Sequence, residues 1–218
     1  KKNRLLLELL VPIAKTYPTE KGREAVDNGL QVLGGYGYCS DFVLQQYLRD
    51  IRIMAIYEGT TGIQSLDLLG RKATMDNGKA VQLLAEEMQR TIEQATTFDE
   101  LKPYARQLAD KMGLSQKVLK FLLSFAAKGE YERFLADATV FMDFFSTLVL
   151  GWLWLDMAAV AKRELVSGNT AYTPDFYESK IHAMRFFFKY ELPKMEGLAP
   201  TLMSEEVLTI LEEKEVIA

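Results

Sequence analysis

"FLADATVFMDFFSTLVLGWLWLDMAA", residues 134–159, decides the fold. Phe134, Ala138, Phe141, Phe145, Leu148, Trp152, Leu155 and Ala159 recur at alternating spacings of four and three, the period of one helix face. Leu135, Met142 and Val149 widen the stripe. A helix apolar over so wide an arc must be covered on several sides, which predicts a central place in a bundle. Its richest run, Phe144 to Leu155, is too short to span a membrane and is bracketed by Asp143 and Asp156. No transmembrane segment is expected, and the chain reads as soluble. Trp152 and Trp154 fall in this stripe and read as packing residues.

The flanking segments repeat the helical period. Toward the C-terminus, Thr173-Pro174 gives the cap-then-proline order of a helix start, with Tyr177, Ile181, Met184 and Phe188 facing inward. "SEEVLTILEEKEVIA" (204–218) predicts a short last helix whose "EEKE" forms a solvated face. Toward the N-terminus, "TFDE" (97–100) fits a capping box, and Pro103 is tolerable only near a first turn or a kink. Val81, Leu84, Met88, Ile92 and Ala95 form another stripe, preceded by the polar turn "ATMDNGKA" (73–80). That turn is the expected domain boundary, giving modules 1–73 and 74–218.

The first module also reads as helices. Leu5 to Ala14 is apolar apart from Glu8, and "TYPTEKG" (16–22) breaks it. Thr19 then caps a helix from about Glu20 to Leu33, with Val26, Leu30 and Leu33 on one face. "GGYGYCSD" (34–41) ends that helix. Ser40 or Asp41 caps the next, which carries Val43, Leu44, Tyr47, Leu48, Ile51 and Met54 at helical spacing. Thr60 or Thr61 caps a further helix bearing Ile63, Leu66 and Leu69 and ending in Arg71 and Lys72. No strand pattern and no internal repeat competes. The expected class is all-α, a helical bundle followed by a second helical bundle.

Composition narrows the function. A formal charge of −4 and a pI near 5.3, with Lys and Arg spread along the chain, argue against nucleic acid as a partner. The single cysteine, Cys39, excludes an intrachain disulfide and a multi-cysteine metal site, and reads as an inert thiol. The single histidine, His182, lies on a helical pattern where a structural role is expected, so no metal centre is assigned. The chain opens directly on an amphipathic pattern without Met or a signal-peptide layout, and is expected to be cut from a longer protein. "GGYGY" lacks the spacing of a dinucleotide fingerprint, and no strand precedes it.

One acid stands apart. In "IMAIYEGTTGIQ" (53–64), Glu58 lies between an apolar run and a Gly/Thr turn. Burial beside Ile56 and Tyr57 would raise its pKa, whereas the following helix N-terminus would lower it. A carboxylate between those influences suits a general base near neutral pH, although an acid before a capping Thr is also common at ordinary helix starts. Gly59, lacking a side chain, leaves room for a flat ring to approach the backbone.

"QVLGGYGY", then "YLRD", then "IYEGTTGIQ", in this order and spacing, resembles the C-terminal helical domain of the acyl-CoA dehydrogenases over about residues 3–72. "GIQSLDLLGRK" followed by a further helical segment resembles the bacterial branch with an additional C-terminal region, which includes enzymes acting on 3-(methylthio)propanoyl-CoA. The resemblance implies an oxidoreductase of fatty acid β-oxidation that converts an acyl-CoA to the 2,3-enoyl-CoA using FAD. It implies Glu58 as the α-proton base, with its backbone N–H on the thioester carbonyl, and Tyr57 lining the acyl pocket. Gly59 would admit the flavin and Thr60 would bond to it. Gln31, Gly34 and Gly35 would touch the ADP part of FAD held mainly by a neighbouring subunit, which implies at least a homodimer, or a homotetramer. Arg49 and Asp50 are motif residues read as an ion pair or cap. An electron-transferring flavoprotein is the implied acceptor and the bacterial cytoplasm the implied location. This piece alone is expected to be inactive. Gly62 departs from the Gln found in many straight-chain members, so a cofactor contact there is left open. The competing expectation is a non-catalytic module on the same scaffold, serving interaction, oligomerisation or membrane docking.

Overall fold

The computed structural model describes residues 1–168 and 171–210. Among these there is no strand: the chain is all-α. Helix α1 spans Lys2–Val32, and a 3₁₀ turn, Gly34–Tyr38, leads to α2, Leu44–Arg52. Another 3₁₀ turn, Ile53–Ala55, precedes α3, Thr61–Leu66, which continues as a π-helical turn, Asp67–Lys72. The rest comprises α4 (Met75–Ala95), α5 (Lys102–Ala127), α6 (Tyr131–Leu135), α7 (Ala138–Ser167), α8 (Pro174–Tyr190) and α9 (Lys194–Leu202).

Helix α7 is the axis, as the wide stripe requires. It packs against α1, α3, α4, α5, α8 and α9, and Phe141, Phe145, Leu148, Leu155 and Ala159 are buried. Trp152 is half-buried and donates its indole N–H to the Thr91 hydroxyl at 2.8 Å. The stripe is broken in one place: Phe134 is buried on α6, and a turn at Ala136 and Asp137 separates it from α7. Helix α7 is long and apolar enough to cross a membrane by length and composition, which the shorter run from Phe144 to Leu155 did not convey. More than half of its apolar window is buried inside the bundle. One core joins the two halves of the sequence, with Leu9, Ile13, Leu68 and Leu69 in the same cluster as the α4–α9 residues.

Several local readings hold. Thr60 and Thr173 cap α3 and α8 by accepting the Ile63 and Phe176 N–H groups. Pro103 lies in the first turn of α5, and Asp76, Asn77 and Gly78 form a left-handed kink at the "ATMDNGKA" turn. The inward residues of α8 are buried as expected.

Others are corrected. Helix α1 runs unbroken through Pro12 and Pro18. Thr19 does not cap a new helix; its hydroxyl donates to the Lys15 carbonyl one turn back at 2.6 Å. Packing of Leu9, Pro12, Ile13 and Thr16 into the bundle outweighs the local cost of the prolines. Neither Ser40 nor Asp41 caps α2, which starts at Leu44 without a side-chain cap. Thr97 donates to the Gln94 carbonyl instead of capping, and Asp99–Leu101 is a 3₁₀ turn. Arg49 and Asp50 are exposed and form no ion pair among the described residues, nor does either cap a helix. His182 is exposed on α8, not held in the core, and Cys39 is exposed too. Residues 204–210 are not helical, and the "EEKE" run lies outside the described residues.

Helix α2 lies antiparallel on α1. Leu44 packs over Gly29 and Ile51 over Gly22, and a Cβ on Gly22 would come within 2.8 Å of Ile51 Cδ1. Close approach is what those two glycines allow, and it sets the line along which the next loop is delivered.

A tethered loop as the candidate active site

The segment Ile56 to Thr60 bridges the turn after α2 to the start of α3. Glu58 has φ +54° and Gly59 has φ +88°, two consecutive left-handed residues. That conformation costs a non-glycine residue about 1–2 kcal/mol, and such outliers cluster where surrounding contacts impose them, often at functional sites.

The contacts are identifiable. Lys15 on α1 donates from Nζ to the Gly59 carbonyl at 2.6 Å. Gln64 on α3 donates from Nε2 to the Glu58 carbonyl at 2.9 Å. The Thr61 hydroxyl donates to Glu20 Oε1, and Glu20 also pairs with Arg23. A charge-assisted bond to a carbonyl contributes more than a neutral one, roughly 1.5–3 kcal/mol. Together these bonds can offset the cost of the left-handed turn.

The carbonyls of the loop thus face its supports, and its side chains are left outside. Glu58 is exposed, and its carboxylate has no ion pair and no hydrogen bond among the described residues. This corrects the expected burial: Ile56 and Tyr57 do not cover it, being themselves 48% and 46% exposed. The main-chain N–H groups of Glu58, Gly59 and Thr60 likewise have no acceptor among the described residues. The loop therefore presents an unpaired carboxylate and unused donors on one short stretch.

The other candidate residues lie apart. Gln31, Gly34 and Gly35 are exposed at the far end of α1 and in the turn beyond it. Lys15 and Gln31 are 16 positions apart on that helix, so the two groups are separated by about 24 Å at 1.5 Å per residue. Gly34 is left-handed, with φ +57°, and neither Gly34 nor Gly35 has an atom within 4 Å of where a Cβ would stand. At Gly62 the nearest such atom is Thr60 Oγ1 at 3.9 Å, so a larger residue would fit the space.

Between the two groups in the sequence, several large apolar side chains are exposed, interleaved with exposed Gln46, Arg49, Asp50 and Arg52. Val32 is 86% exposed and Tyr38 97% exposed, and Tyr36, Tyr47, Ile53, Met54 and Ile63 are also exposed. No residue of α2 is fully buried, so the stripe read there only half meets α1. Large exposed apolar side chains on neighbouring elements are a feature of interaction surfaces. Lys15, Glu20 and Gln64 were missed in the sequence. Gln64 belongs to the quoted motif, but Lys15 lies 44 positions from the carbonyl it holds and carries no local signal.

Comparison with known proteins adds a separate line. A family profile described as "Acetyl-CoA dehydrogenase C-terminal like" matches residues 84–210. One described as "Acyl-CoA dehydrogenase, C-terminal domain" matches residues 2–73. The broad-specificity linear acyl-CoA dehydrogenase FadE5 of Mycobacterium tuberculosis is 32% identical over 194 residues, covering 85% of this chain and 31% of that protein. The 3-methylmercaptopropionyl-CoA dehydrogenase of Ruegeria pomeroyi is 33% identical over 189 residues, covering 84% of this chain and 30% of that protein. A butyryl-CoA dehydrogenase of Syntrophomonas wolfei is 27% identical over 194 residues, covering 86% and 30%. The chain thus spans about a third of the length of these curated relatives.

Proposed function

The chain belongs to the acyl-CoA dehydrogenase family, and from that premise we propose that it is the C-terminal part of an FAD-dependent enzyme oxidising an acyl-CoA thioester to its 2,3-enoyl-CoA. The observation that carries this reading is the loop: Glu58, in the family's "YEGT" motif, holds a left-handed conformation with a free carboxylate and free amide groups beside it. In this reading Glu58 takes the proton from the carbon next to the thioester. The C–H bond breaks, its electron pair stays on the substrate as an enolate, and the proton ends on a carboxylate oxygen. The Glu58 N–H donates to the thioester oxygen, where that charge collects, and so lowers the barrier. Tyr57 lines the acyl site.

The residues present fit part of a flavin site. Gly59 carries no side chain, Thr60 offers a free N–H, and Gly34 and Gly35 leave the backbone at the α1 end open. Gly59 and Thr60 would hold FAD on one side, and Gln31, Gly34 and Gly35 would touch the ADP part of a cofactor belonging to a neighbouring subunit. Their separation along α1 supports that division. Bound FAD would supply the two-electron acceptor for the hydride leaving the β-carbon, the electron pair left at the α-carbon becoming the new double bond.

Residues 1–73 in this reading complete the catalytic core, and residues 74–218 form an additional bundle sharing its interior. The exposed apolar side chains around α2 receive the remainder of the protein. A homodimer or homotetramer, an electron-transferring flavoprotein as acceptor, and a bacterial cytoplasmic location belong to the same proposal. Fatty acyl-CoAs and 3-(methylthio)propanoyl-CoA are the substrates to try; two relatives are named for linear acyl-CoA and for 3-methylmercaptopropionyl-CoA. The test is the full-length protein, loaded with FAD, assayed against an acyl-CoA panel with an artificial electron acceptor. Turnover of one or more supports the reading; none across the panel overturns it.

A further inference from the structure

Two side-chain bonds, one local and one from 44 positions away, fix the orientation of successive peptide planes in the candidate loop. Gln64 holds the carbonyl of Glu58, and Lys15 holds the carbonyl of Gly59. The chain has no cis peptide bond among the described residues, and in a trans peptide the C=O and the next N–H point opposite ways. Drawing both carbonyls toward α1 and α3 therefore turns the Gly59 and Thr60 N–H groups away from them. It also fixes the Glu58 Cα, hence the root of the carboxylate. Lys15 has no carboxylate partner among the described residues, although most ion pairs there join residues one to four positions apart. Its half-buried ammonium is committed to a neutral carbonyl 44 positions away. A Cβ on Gly59 would stand 2.9 Å from Gln64 Nε2, so a side chain there would push this amide from its present place.

We propose that Lys15 and Gln64 are positioning residues that hold the 58–60 backbone in its left-handed form and so aim the Glu58 carboxylate and the adjacent N–H groups together. The consequence for rate rests on the proposed role of Glu58; the consequence for loop geometry does not. Neither residue is assigned contact with substrate or cofactor.

The test has two arms. In the 218-residue chain, ¹⁵N relaxation reads the order parameters of the Gly59 and Thr60 amides. Lys15→Met and Gln64→Leu should each lower them from about 0.85 to below about 0.6, with the far-UV circular dichroism of the parent. In the full-length, FAD-loaded enzyme, each variant should lower kcat roughly 10- to 100-fold with KM within about threefold, because a misplacement of about 1 Å can cost a hundredfold. Lys15→Arg, which keeps a charged donor, should recover most of that loss. Unchanged order parameters in both variants overturn the proposal. So do kcat values within twofold of the parent while Glu58→Gln is inactive. If Glu58→Gln is itself active but the order parameters fall, the tether stands and the assignment of the base is what fails. Should Lys15→Met not fold, Gln64→Leu alone decides both arms.

Discussion

Gln64 Nε2 stands where a side chain on residue 59 would begin: a Cβ built on Gly59 would lie 2.9 Å from it, at a backbone φ of +88°. Gly59→Ala should therefore destabilise the 218-residue chain twice over, by conformation and by contact. The conformational part costs about 1–2 kcal/mol, which for a domain of this size lowers Tm by roughly 2–8 °C. Thermal melts in the Gln64→Ala background separate the two parts, since the penalty should shrink when the amide is gone. Equal penalties in both backgrounds would show that the contact is unimportant.

Glu8 on α1 reaches Lys72 at the end of the π turn, whose side chain is nearly buried. The hydrogen bond from Lys72, and then that from Arg4, holds the Glu8 carboxyl below the usual carboxylate range. A carboxyl depressed in the folded state stabilises it above the unfolded pKa of about 4.3, and this is lost as pH falls through the folded value. Glu8→Gln should lower Tm measurably at pH 7 and progressively less below about pH 4. A deficit constant from pH 7 to pH 3 would mean the charge is not responsible.

Phe141 is fully buried in the one core that also contains Leu9 and Leu69. Phe141→Ala should cost about 3–5 kcal/mol through lost burial and the cavity left behind. Because the core is shared, denaturant unfolding should remain a single transition for residues on both sides of the kink at Asp76 to Gly78. Two resolved transitions, followed by probes in α1 and α8, would contradict a common interior.

Val32 and Tyr38 are almost fully exposed, among the apolar side chains beside α2. Val32→Ser and Tyr38→Ser should leave the stability of this chain within about 0.5 kcal/mol. In the full-length protein the same changes should weaken subunit association or flavin retention, read by analytical ultracentrifugation and flavin absorbance. No effect on either would remove this surface from the docking account.

Much of the fold was legible because buried faces impose their period on the sequence. The residues of α7, α8 and α4 named from spacing are mostly those found buried. Errors arose where local chemistry has two outcomes. Thr19 and Thr97 are residues that cap helices elsewhere, yet each hydroxyl here donates backward to a carbonyl three or four positions earlier. Pro18 looked like a break, and the bundle carries the helix past it. The loop was legible only in part. "YEGT" marked Glu58, and Thr60 capped as its position required. The left-handed backbone and the exposure of the carboxylate depend on Lys15, which comes from the middle of another helix. Nothing within ten residues of Glu58 records that distance.

The most direct test is Glu58→Gln in the full-length, FAD-loaded enzyme, following the first-turnover rate of flavin reduction by a saturating acyl-CoA. Loss of a positioned general base predicts a fall of about 10²–10⁴-fold, with substrate affinity within a few-fold of the parent. A rate within about tenfold of the parent, with affinity unchanged, would contradict the assignment of the α-proton base to Glu58.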